Sequence, residues 1–78
     1  MMADEKAAQG ALQAAFRATS ALDSSIGSLA EILPPEELSV YKTAVGFVMA
    51  EAFERIIHPI LREHPRLKPD GWEEWLTT

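Results

Sequence analysis

The chain contains no cysteine, which removes disulfides, thiolate-bound zinc and thiol nucleophiles from its chemistry. It is also poor in positive charge. Seven Lys and Arg stand against twelve Asp and Glu, for a net charge of -5. That balance opposes phosphate backbones and anionic lipid, so neither nucleic acid nor a membrane is an expected partner. The opening residues MMADEKAAQ carry no basic segment leading into an apolar one, so they do not read as a signal peptide, and a cytoplasmic location is the expectation. Long apolar runs are missing too: in the most apolar stretch, residues 40–60, the uncharged run covers only 43–50, well short of the roughly 18 residues a membrane span requires. No glycine-rich elbow, oxyanion turn or phosphate loop is present. The serines cluster in the first half and the histidines near residue 60, so no nucleophile and base come together in sequence.

What the sequence does have is helical periodicity. Asp4 is placed to cap a first helix. From there Leu12, Ala15, Thr19, Leu22, Ile26, Leu29 and Leu33 recur at steps of three and four, the seam of a helix packed along another. Phe16 widens the seam, and alanines flank it. Residues 19–28, TSALDSSIGS, lower helix propensity, yet the seam keeps its phase through them. One helix over residues 4–33 is predicted. Leu33-Pro34-Pro35-Glu36-Glu37 then ends it and begins the next, because a residue before proline avoids the helical region while Pro35 suits the first helical position.

The second helix is predicted over residues 35–63, with a kink or break at Pro59, which has no N–H and would crowd the Arg55 carbonyl. At about 100° per residue, Leu38, Tyr41, Val45, Met49, Ala52, Ile56 and Ile60 fall on one face. Val40, Ala44, Phe47 and Val48 fall on roughly the opposite side, so two turns of this helix are apolar all round. Such a helix is normally buried on every side. One partner helix covers only one side, and the other face is expected to be an intermolecular interface. Beyond it, Glu51, Glu54, Arg55, His58 and Arg62 make a polar stripe.

Two long striped helices with a short connection predict an all-α fold: an antiparallel helical hairpin forming a single domain over residues 1–78 and dimerising into a four-helix bundle. At 78 residues a lone core supplies little net stability, and oligomerisation commonly assists. A short C-terminal helix over residues 70–76 is expected after Pro69, since Asp70 and Glu73 have capping-box spacing. It carries Trp72 and Trp75, large enough to dock on the helices or to grip a partner.

Glu51, Glu54 and His58 are the candidate metal ligands, with a carboxylate and an imidazole four residues apart. Bundle metal sites draw such groups into the core from several helices, whereas these sit opposite the main stripe, so no metal and no cofactor is expected. Glu51-Ala-Phe-Glu54 resembles the Glu-x-x-Glu motif of the all-helical nucleotide pyrophosphohydrolases, which hold magnesium on paired acidic motifs. The second pair, Glu-x-x-Asp, is lacking: Glu63 is followed by Arg66 and Glu73 by Leu76. The sequence therefore reads as a noncatalytic, homo-oligomeric helical module acting through protein contacts, as adaptor, regulator or subunit. The alternative is a helical bundle that binds a small molecule or divalent metal, or a minor enzyme whose site is completed across a dimer.

Overall fold

In the computed structural model, residues 1–68 are described. Of these, 85% are helical and none is in a strand. Helix α1 spans Glu5–Ala30 and α2 spans Pro35–Ala52; a π-helical turn, Phe53–Ile57, leads into α3, His58–Glu63, and a 3₁₀ turn follows at Pro65–Leu67. The predicted helix over residues 70–76, with Trp72 and Trp75, lies outside the described residues.

Asp4 caps α1: its Oδ1 accepts the Ala7 N–H at 2.9 Å, satisfying one of the amides that a helix start leaves without a partner. The helix then runs unbroken through residues 19–28. Ser25 and Thr19 turn their hydroxyls back onto carbonyls of the preceding turn, Ser25 onto Leu22 at 2.6 Å and Thr19 onto Ala15 and Phe16, both at 3.1 Å. Those bonds let polar side chains sit in the helix without orphaned groups, and they allow Thr19 to be buried.

Helix α1 closes at Ala30, short of the predicted residue 33. The cause is Pro34, which pushes Leu33 out of the helical region. The chain tightens beforehand, and the Leu29 carbonyl takes the N–H groups of both Ile32, at 3.0 Å, and Leu33, at 2.8 Å. Pro34 is extended and Pro35 opens α2, whose first turn holds Glu36 and Glu37 at the positive end of the dipole.

The irregularity expected at Pro59 falls before it. In the turn Phe53–Ile57 the hydrogen bonds reach one residue further than in an α-helix, and His58 N–H meets the Phe53 carbonyl. Such a widened turn relieves the clash a mid-helix proline would otherwise impose on the Arg55 carbonyl. It also adds a residue to the turn and so changes which side chains face inward. Ile56, expected on the buried stripe, is 38% exposed, and Ile57 beside it is fully buried. His58, expected on the water-facing stripe, is half-buried, its ring 5.8 Å from that of Phe53 at a 56° tilt.

The closed core follows from this new phase. Ala8, Leu12 and Ala15 of α1 meet Ile57, Ile60 and Leu61, with Met2, Ala11, Phe16, Phe53 and Leu67 packed around them. Ion pairs and hydrogen bonds fasten the same end: Arg66 grips both Glu5 oxygens through Nη2 at 2.6 and 2.7 Å, Glu63 holds the amino group of Met1, and His64 Nε2 lies 2.8 Å from the Met2 carbonyl. The half nearer the proline connection is less well covered. There Val45 is buried, whereas Leu22, Ile26, Leu29, Leu33, Leu38, Tyr41 and Met49 are only half-buried. The cross-tie in this half is the contact of Ser25 Oγ with the Tyr41 hydroxyl at 2.6 Å.

Candidate functional site

Val45 turns toward α1 and is 3% exposed, which fixes the rotation of α2 about its axis. A side chain half a turn away must then point outward. Accordingly Val40 is 71% exposed, Phe47 71% and Val48 53%, and Ala44 lies exposed among them. Single exposed apolar side chains are ordinary on protein surfaces; a contiguous row of three large ones over two helical turns is not.

Toward the proline connection this face runs into an open groove of about 640 Å³ lined by Leu33, Glu36, Glu37, Val40, Tyr41 and Ala44. In the connecting turn Ile32, next in sequence to the groove residue Leu33, is 76% exposed. Helical periodicity marks neither feature. Their signal was an isoleucine between Glu31 and the prolines, where the helix register no longer gives it a buried side.

Charge bounds the face at each end. Glu36 and Glu37 stand in the first turn of α2. At the other end Arg55 pairs with Glu51 one turn back, and both side chains are largely exposed. The hydrogen bond from Arg55 to the Glu51 carboxylate, and then its charge, hold the guanidinium above its ordinary pKa.

The metal candidates do not converge within the chain. Glu51 is engaged by Arg55, Glu54 is exposed, and His58 is turned toward the Phe53 ring. Among the described residues, no three His, Asp or Glu side chains lie close enough to share an ion. A second, smaller hollow of about 380 Å³ lies on another side, between Phe16, Thr19, Ser20, Asp23, Met49 and Phe53. Its polar groups carry no arrangement of nucleophile, base and oxyanion donors. No described helix is long and apolar enough to cross a membrane. No family model matches the chain, and neither does any curated protein or solved structure.

Proposed function

We propose that the chain is a noncatalytic helical hairpin that works by association, two copies joining through the second face of α2 into a four-helix bundle. In this role it serves as an adaptor, regulator or subunit. The observation that carries the reading is the exposure of Val40, Phe47 and Val48, at 71%, 71% and 53%, on one side of a single helix. Covering them removes apolar area from water at roughly 25 cal/mol per Å². The half-buried side chains near the proline connection support the same reading, since that half closes poorly within one chain.

Phe47→Glu tests it, because a carboxylate forced into an apolar contact costs about 3–5 kcal/mol. Light scattering should show the wild-type protein as an oligomer at tens of micromolar and the variant as a smaller species whose helicity falls on dilution. Gln13→Ala, on an exposed position of α1, should change neither. A monomeric wild-type protein, or a Phe47→Glu protein of unchanged mass and melting temperature, removes the reading.

A small-molecule site is the second reading, and the groove beneath Val40 and Tyr41 is the observation in its favour, its volume lying within the range of ligand pockets. Under that reading a ligand raises the melting temperature in step with its concentration while Phe47→Glu leaves the mass unchanged.

A further inference from the structure

We infer that the second copy lies antiparallel on this face, α2 against α2, with Glu37 of each copy opposite Arg55 of the other. This rests on the self-association proposed above and specifies its geometry. The observation behind it is the order of charge along the face. Steps of three and four lead from Glu37 through Val40, Ala44 and Phe47 or Val48 to Glu51, so all of them share one side of the helix, and the ion pair with Glu51 keeps Arg55 on that side too. A carboxylate therefore stands at one end of the apolar row and a guanidinium, 76% exposed, at the other.

Orientation follows from that polarity. Two copies laid parallel would set Glu37 on Glu37 and Arg55 on Arg55, a like-charge contact at each end. Laid antiparallel about a two-fold axis, they set opposite charges together at both ends. Register follows as well. Glu37 and Arg55 are about 27 Å apart at 1.5 Å per residue, and matching both pairs at once brings the axis level with Gly46. Ala44 of one copy then lies beside Val48 of the other, small against large, and the two Phe47 rings pass on either side of the axis. Glu51, paired with its own Arg55, comes close to Val40 of the other copy. Glu36 and Glu54 fall on the flank, in reach of water and salt.

Sedimentation equilibrium at low salt tests the arrangement. Glu37→Arg and Arg55→Glu should each weaken the dimer roughly tenfold, since symmetry turns two attractive contacts into two repulsive ones. The double variant Glu37→Arg/Arg55→Glu should return to within a few-fold of wild type. A loss of helix stability from breaking the Glu51 pair would not be repaired in that double variant, so rescue reports contact between chains. Singles that dimerise like wild type, or a double as weak as the singles, overturn the antiparallel register and leave self-association standing; a wild-type monomer overturns both. The absence of native cysteine allows a second measurement that leaves Glu37 and Arg55 in place. An equimolar mixture of Val40→Cys and Glu51→Cys chains should oxidise mainly to the mixed disulfide, and a predominance of the Val40→Cys homodisulfide overturns the orientation.

Discussion

The Tyr41 phenol donates to the Ser25 hydroxyl across α2 and α1, with the oxygens 2.6 Å apart. The direction is set by Ser25, whose single proton goes to the Leu22 carbonyl. Because the surrounding side chains are only half-buried, this pair does much to hold the two helices in register near the proline connection.

Removing either hydroxyl should cost about 0.5–1.5 kcal/mol. Tyr41→Phe and Ser25→Ala, measured by urea unfolding at one protein concentration, should therefore give similar losses. The double variant should lose little more than one of them. A fully additive double would show that the two hydroxyls do not interact.

Ile56 and Ile57 are adjacent and chemically identical, yet one is 38% exposed and the other is fully buried. Ile57→Val should cost about 0.5–1.5 kcal/mol and Ile57→Ala about 2–5. Ile56→Val should cost clearly less than Ile57→Val in the same urea series. The reverse order would mean that the helix keeps an ordinary α period through residues 53–57.

That pair also marks the limit of what the sequence made legible. The all-helical class was readable, because seams at steps of three and four and the Leu33-Pro34-Pro35 stop are local signals. The exposed position of Phe47 could be inferred too, as it sits half a turn from Val45. Ile60 is buried as the period predicts, whereas the exposure of Ile56 and the burial of Ile57 and Leu61 could not be read by continuing the period, since the wide turn changes which neighbouring side chains face inward. Pro59 signalled a disturbance without indicating that the helix would widen ahead of it. Periodicity does not encode Ile32 and the groove, because they depend on how the connecting turn sets Leu33 alongside Val40 and Tyr41.

The Glu5 carboxylate is held below its ordinary pKa chiefly by the hydrogen bond from Arg66, which outweighs the opposing effect of burial, and the guanidinium charge adds to the lowering. A carboxylate with a depressed folded pKa stabilises the fold above its unfolded value, and this contribution fades as pH falls through the folded one. The contribution is small because both groups meet water. NMR titration should place the Glu5 midpoint below that of an unpaired glutamate, and Arg66→Gln should move it upward. An unmoved midpoint would remove the pairing in solution.

Titration with zinc, manganese and magnesium should release no heat of stoichiometric binding at micromolar concentrations, as Glu51 is engaged by Arg55 and Glu54 faces solvent. Tight uptake that disappears in both Glu54→Ala and His58→Ala would point instead to a site assembled between copies.

The wide turn at Phe53–Ile57 behaves as a spare residue in the chain. Elsewhere in α2, deleting one position swings every later side chain by about 100° and parts Ile60 and Leu61 from Ala8 and Leu12. Within the wide turn a deletion can be absorbed by reversion to an ordinary α-turn, leaving the faces before and after it aligned and returning only the crowding of Pro59 against a carbonyl. Chain length is therefore negotiable at this one place, and a family of such proteins could gain or lose a residue here while keeping the same two surfaces.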